Sequence, residues 1–184
     1  MNSEPAIPIF PRLGAALVAR LPLAPAQLAA ERLVSQIAAR HPDLFARLGD
    51  HARKTIAIDP TDTPLVFLLT PDPDLPRVRV ARAVAGERWD ARIAGPLAAL
   101  LGLVHGAFDG DALFFSRDLV IEGDTGAVLA LRNAIDNAEL DMGHEIASLF
   151  GPVERPLAGA MRIALPLVER ATGVALMRRA GEPT

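Results

Sequence analysis

Over residues 54–93 the apolar side chains of this chain recur mainly every second residue, and on either side they recur every third or fourth. That change of period sorts the chain into helices flanking a sheet. Lys54–Asp59 alternates Ile56 and Ile58 with Thr55 and Ala57. Pro64–Thr70 is apolar on both parities (Leu65, Val66, Phe67, Leu68, Leu69), as a central strand covered on both faces must be. Arg77–Val84 alternates Val78 and Val80 with Arg77 and Arg79, and Arg88–Ile93 alternates Trp89, Ala91 and Ile93 with Arg88, Asp90 and Arg92. The connectors Asp59–Thr63, Thr70–Pro76 and Ala85–Glu87 carry the Pro, Gly and Asp of turns. The spacing predicts an antiparallel meander of these four strands, with Arg117–Glu122 as a fifth.

Helical periodicity surrounds them. In 26–40, Ala30, Leu33, Val34 and Ile37 fall on one face, and His41-Pro42 ends the helix because a residue before proline avoids the α region. A short helix over 43–48 turns Leu44, Phe45 and Leu48 inward and stops at Gly49. Residues 96–105 place Leu97, Leu100, Leu101 and Val104 on one stripe. Gly123 suits a sharp turn and Asp124 a cap, opening a helix to about 138 with Val128, Leu131, Ile135 and Ala138 inside. A last helical region, 155–178, is interrupted by Gly159, Pro166 and Gly173. Strands and helices in this order predict an α+β fold: one five-stranded, mostly antiparallel sheet with helices packed on it.

Residues 4–25 hold five prolines among apolar residues, leaving room for one helix at 12–20. Such an arm either packs on the core or dips into lipid, with Arg12 and Arg20 meeting headgroups. The longest uncharged stretch, 93–104, is too short for a membrane-spanning helix. The beginning of the chain lacks the basic n-region of a secretory signal, so a cytoplasmic protein is expected.

With 184 residues and no cysteine, thiolate metal sites, disulfides and Cys-based catalysis are excluded. A net charge of −3 argues against nucleic acid as a partner, and the absence of Tyr leaves little to stack bases on. No phosphate-binding glycine loop occurs. His144-Glu145 begins a zinc-protease motif, but Ser148 stands where the second histidine belongs, so no metal is expected. Ser116 and His105 have no spacing that makes them a nucleophile and its base. Asp72/Asp74 and Asp109/Asp111 lie in turns, where carboxylates cap backbone N–H groups. The arginines at 77, 79, 82, 88 and 92 form either an anion-gathering face or a solvated strand face paired with Glu87 and Asp90. The residues thus offer no catalytic group and imply no cofactor. They leave much apolar helix surface to bury against one sheet, where a gap would suit an apolar ligand.

The stretch from Phe114 to Asp136, FFSRDLVIEGDTGAVLALRNAID, resembles the terminal strand–turn–helix of the sterol carrier protein type 2 family. In that pattern an apolar-x-Gly-Asp strand end precedes a Leu/Ala-rich helix. Leu119, Ile121, Gly123, Asp124, Leu129 and Leu131 match it. The upstream order of elements extends the likeness over roughly residues 26–140. More narrowly, FFSRDLVIEGDT followed by LRNAIDNAELD resembles the branch of bacterial ubiquinone-biosynthesis accessory factors of the UbiT type. Arg117-Asp118 replaces the Gly-Lys pair common in the broader family, which favours that branch over a sterol carrier.

The resemblance implies a noncatalytic protein with a hydrophobic tunnel between helices and sheet. Its lipid would be an isoprenoid quinone intermediate of oxygen-independent ubiquinone synthesis, or a phospholipid. The implied protein partners are hydroxylase-type proteins of the UbiU/UbiV type, which carry the iron–sulfur clusters, with peripheral contact to the inner membrane. Leu100, Val104, Phe114, Phe115, Met161, Leu165 and Val168 are the expected lipid-binding residues. The expected organisation is a proline-rich arm over 1–25, a lipid-binding domain over 26–141 and an amphipathic helical extension over 142–184. A scaffold of the same pathway with a filled core, and a general phospholipid or fatty-acid carrier, remain alternatives.

Overall fold

The computed structural model describes residues 9–104 and 118–138, together with Glu145. Helices α1 (Arg12–Arg20), α2 (Leu23–Arg40) and α3 (Pro42–Ala46) lead through a single 3-10 turn, Gly49–His51, into the sheet. Its strands are β1 (Ile56–Pro60), β2 (Val66–Thr70), β3 (Arg77–Ala81), β4 (Ala91–Gly95) and β5 (Val120–Gly123); α4 (Leu97–Val104) follows β4 and α5 (Thr125–Ala138) follows β5. The architecture is the expected α+β one.

Proline sets the helix boundaries. Pro22 precedes α2, three residues earlier than the periodicity indicated. Pro25 is tolerated in the first turn, because N–H groups there have no intrahelical acceptor. His41 ends α2, its N–H donating to the Ile37 carbonyl, and Pro42 opens α3.

The strand order is β3-β2-β1-β4-β5. β1, β2 and β3 form the predicted antiparallel meander, with Ile56 opposite Leu69 and Leu69 opposite Val78. β4 corrects the prediction. It lies beside β1 and parallel to it, Ile58 opposite Ile93, rather than beside β3. The connection from Arg82 to Asp90 makes this possible by crossing the sheet's second face, where Val84 and Trp89 pack on Ala57, Val66, Leu68 and Ala81. Trp89 therefore precedes β4 and covers the face opposite Ala91 and Ile93, so the expected alternation Trp89/Ala91/Ile93 is broken. β2 is covered on both faces: Leu69 joins the helical core, and Val66 and Leu68 lie under the crossing segment.

The other face carries the main core. Ala30 and Ile37 of α2, Leu44, Phe45 and Leu48 around α3, Ala99, Leu100 and Leu103 of α4, and Ala127, Val128, Leu131 and Ala134 of α5 close over Ile56, Leu69, Val78, Val80 and Ile93. Within α4 the buried side chains are Ala98, Ala99, Leu100 and Leu103, while Leu97 and Leu101 are half-exposed. An eight-residue helix that is apolar all round gives periodicity little to choose by, so of the expected stripe Leu100 is buried while Leu97 and Leu101 give way to Ala99 and Leu103.

Two glycines are dictated by close approach. A Cβ at Gly95 would lie 2.5 Å from the Asp118 carbonyl oxygen, so β5 can enter against β4 only if residue 95 lacks a side chain. Gly123 has φ +76°, and a Cβ there would lie 2.3 Å from the Asp90 carbonyl oxygen.

The edge of β3 is closed by a side chain. Gln27 of α2 donates from Nε2 to the Val78 carbonyl (2.8 Å) and accepts the Val80 N–H at Oε1 (2.7 Å), as a neighbouring strand would. Edge strands left bare invite pairing with other chains, and here one amide occupies two outward groups. Glu145, buried, binds the same helix further on: Gln36 Nε2 donates to its carboxylate at 2.8 Å and Arg40 at 3.1 Å.

Candidate functional site

Where β1 and β4 run side by side, Ile58 and Ile93 are register partners. α4 and α5 pack over them through Leu100, Leu103, Val128, Leu131 and Ile135, and these side chains leave an apolar hollow of about 70 Å³. Arg132 is the one charged residue among the described residues lining it, its Nε 3.7 Å from the Asp136 carboxylate one turn on. Aliphatic walls favour apolar atoms in proportion to the area removed from water, about 25 cal/mol per Å². The volume is about half that of an engineered ~150 Å³ cavity that takes up benzene, so a prenyl tail needs α4 and α5 to part from the sheet.

A larger, open concavity of about 670 Å³ lies along the β3 edge, bordered by Gln27 and Glu31 of α2 and by Arg77, Arg79 and Arg88. Its size does not make it the better lipid site. Several of its polar groups are already partnered, Gln27 with Glu31 (2.7 Å) and Arg79 with Glu87 in a two-point pair, and its rim is charged.

The arginine series resolves into separate duties. Arg79 pairs with Glu87, as the strand-face reading expects, and the hydrogen bond from Arg79 holds the Glu87 carboxyl below its ordinary range. Arg92 spans three strands, reaching Asp59 of β1 at 2.6 Å and Glu122 of β5 at 2.5 Å. Its pKa is raised, chiefly by the Glu122 hydrogen bond and then by that of Asp59. Arg82 donates to the Val18 carbonyl at 3.0 Å and to that of Leu21. Asp90 takes no arginine among the described residues, correcting that expectation: its carboxylate accepts the Thr55 N–H at 2.7 Å.

Lys54, His51 and Asp124 meet at the start of α5. The Lys54 ammonium bonds the Asp124 carboxylate and lies 3.3 Å from His51 Nδ1, while Asp124 Oδ1 accepts the Ala127 N–H at 3.1 Å. This is a charged helix cap. The Lys54 hydrogen bond, then that of Ala127, holds the Asp124 pKa below its ordinary range. Asp72 behaves as a turn carboxylate, accepting the Asp74 N–H at 3.0 Å. Glu145, the acid of the half motif His144-Glu145, is engaged by Gln36 and Arg40. No group of three metal-ligating side chains occurs among the described residues. No single described helix is long and apolar enough to cross a membrane.

Of the expected lipid-binding residues, Leu100 lines the hollow. Val104 ends α4, and nothing of its side chain is described; Phe114, Phe115, Met161, Leu165 and Val168 lie outside the described residues, as do Ser116, His105 and the helix expected over 155–178. Val128, Leu131 and Ile135 stand on the inner stripe read from the sequence, and Ile58 and Ile93 on predicted inward parities, yet none had been assigned to the site. The missing signal was the β1–β4 pairing, which alone makes Ile58 and Ile93 neighbours. Leu103 was missed with the wrong stripe of α4.

Among curated proteins, none matches the chain. Among solved structures, a "UbiJ-SCP2 Ubiquinone synthesis protein" superposes with a TM-score of 0.52 at 21% identity, covering 65% of this chain and 97% of that one. Sterol carrier protein 2 from Yarrowia lipolytica in its apo form gives 0.45 at 15% identity, over 59% of this chain and 85% of that one. The sterol carrier protein domain 2 of Helicoverpa armigera gives 0.42 at 15% identity, over 58% and 82%. The first of these likenesses supports the fold. The SCP-2 sterol transfer family model matches residues 34–136, from within α2 to within α5 and thus through the whole sheet and both walls of the hollow. Matched over more than half its length, the chain belongs to the SCP-2 sterol transfer family.

Proposed function

We propose that this protein is a noncatalytic lipid-binding accessory factor of ubiquinone synthesis. It holds prenylated intermediates of the oxygen-independent pathway for partner hydroxylases of the UbiU/UbiV type, in the cytoplasm at the inner-membrane surface. The observation that carries this function is the hollow: among the described residues, seven aliphatic side chains and one arginine border it, on elements that the SCP-2 family model matches. The likeness in fold to a ubiquinone synthesis protein supports the choice of pathway. The lipid-binding unit is 26–141, flanked by the arm 1–25 and the extension 142–184. Val104, Phe114, Phe115, Met161, Leu165 and Val168 complete the lining beyond Leu100.

Native mass spectrometry of the gently purified full chain tests this. An isoprenoid quinone precursor is expected as a bound mass, or is taken up when supplied. A phospholipid or fatty acid alone would make the protein a general carrier, and a chain that neither carries nor accepts any lipid would overturn the function. A second reading, a pathway scaffold with a filled core, draws on the small volume of about 70 Å³. It expects partner capture with no lipid uptake.

A further inference from the structure

Helix α1 buries none of its residues. Gly14, Ala15 and Val18 are half-buried, while large aliphatic side chains recur every fourth position on the open side: Ile9 is 69% exposed, Leu13 83%, Leu17 66% and Leu21 59%. Single exposed leucines are ordinary, but a row of four on one short segment is a surface. The segment is nevertheless fixed. At its beginning Phe10 donates its N–H to Asp62 at 2.7 Å, and the same carboxylate accepts the Leu97 N–H at 2.9 Å where α4 begins. At its end Arg82 holds the carbonyls of Val18 and Leu21. Polar clasps at both ends bind the helix to the body while its aliphatic row faces away.

We propose that α1 is the membrane-docking element of the protein and that its occupant is an anionic lipid surface. Charge selects this partner. Between Pro5 and Ala30 there is no acidic residue, and the two charges are Arg12 and Arg20, in a chain whose net charge is −3. Both arginines are exposed at opposite ends of the helix, and neither is paired with a carboxylate among the described residues. Arginines bracketing an aliphatic row let the row enter the acyl region while the guanidinium groups stay at the phosphates. The row brings no aromatic or hydrogen-bonding anchor of the kind that dominates protein interfaces. At nine residues, about 14 Å, α1 lies in the interface and does not span it, and α2 turns away from it by 101°.

Docking by α1 deepens the membrane-surface part of the proposed function and does not depend on which tail the hollow takes. Vesicle flotation with the full chain tests it, using phosphatidylethanolamine–phosphatidylglycerol vesicles against phosphatidylcholine vesicles. The wild type floats with the anionic vesicles and is released by raised salt. Leu13→Ser with Leu17→Ser reduces the bound fraction about tenfold or more on both vesicle types. Arg12→Gln with Arg20→Gln reduces it on the anionic vesicles only. In each variant the urea midpoint and any lipid mass in native spectra stay as in the wild type, since these side chains are exposed. A wild type that stays unbound, or a leucine variant that floats as well as the wild type, overturns the proposal. So does a leucine row needed only for capturing a protein partner. Loss of the bound lipid mass with flotation intact would count against the hollow's function and leave the docking surface standing.

Discussion

Asp124 does three things with one carboxylate: it receives the Lys54 ammonium, stands 3.6 Å from His51 Nδ1, and caps the Ala127 N–H that opens α5. Its pKa is depressed in the fold, first by Lys54 and then by the backbone hydrogen bond. A carboxylate with a folded pKa below its unfolded one stabilises the fold at neutral pH. It loses that contribution as pH falls below the ordinary aspartate range toward the depressed value. Asp124→Asn keeps an acceptor for the cap but gives up the ion pair, so its urea midpoint should lie below that of the wild type at neutral pH. The two should converge in acid, in midpoints measured across the acid range; parallel profiles would show that the charge does not matter. The cap itself was legible from Gly123-Asp124, because capping is local chemistry. Lys54 and His51 were not legible as its partners, since seventy residues of chain separate Lys54 from Asp124 and periodicity carries no information across such a gap.

At the scale of elements, type was readable and so were the β1–β2 and β2–β3 pairings, but neighbourhood beyond β3 was not. Alternation marked the strands at 54–59, 77–84 and 88–93, the both-parity apolarity of 64–70 marked β2 and its covered position, and the fifth strand was expected over 117–122. The place of β4 was missed because alternation fixes a strand's faces and not its partner; the crossing segment Arg82–Asp90, with Val84 and Trp89, decides that. The same limit hid the edge of β3, where one glutamine on α2 replaces a neighbouring strand. Gln27→Ala leaves the Val78 carbonyl and the Val80 N–H without that partner in a partly buried setting. It should cost about 1–3 kcal/mol, read from urea unfolding monitored by circular dichroism. Gln27→Glu should also destabilise at neutral pH, since a carboxylate has no proton for the Val78 carbonyl. A cost near zero for both would mean that water replaces the amide and that the edge needs no closure.

For the whole molecule the hollow is where stability and function oppose each other. Packing this site to the usual interior density would add stability, yet seven aliphatic side chains from two strands and two helices border a half-open hollow of about 70 Å³. If that space is the seed of a lipid site, changing its volume should move stability and loading independently. Leu131→Ala enlarges it and should cost about 2–5 kcal/mol, while the enlarged cavity still admits an apolar ligand. Ile135→Trp, at a half-buried lining position, fills it and should cost about 1–3 kcal/mol from overpacking while blocking uptake. Thermal midpoints with and without a supplied prenylated phenol separate the two effects. A ligand at a hundred times its dissociation constant adds about 2.7 kcal/mol to the form that binds it. The midpoint should therefore rise on loading in the wild type and in Leu131→Ala, and stay fixed in Ile135→Trp. A rise of equal size in Ile135→Trp would place the ligand elsewhere on the molecule. No rise in the wild type would leave the hollow a packing defect, and the scaffold alternative would then account better for why the fold is kept.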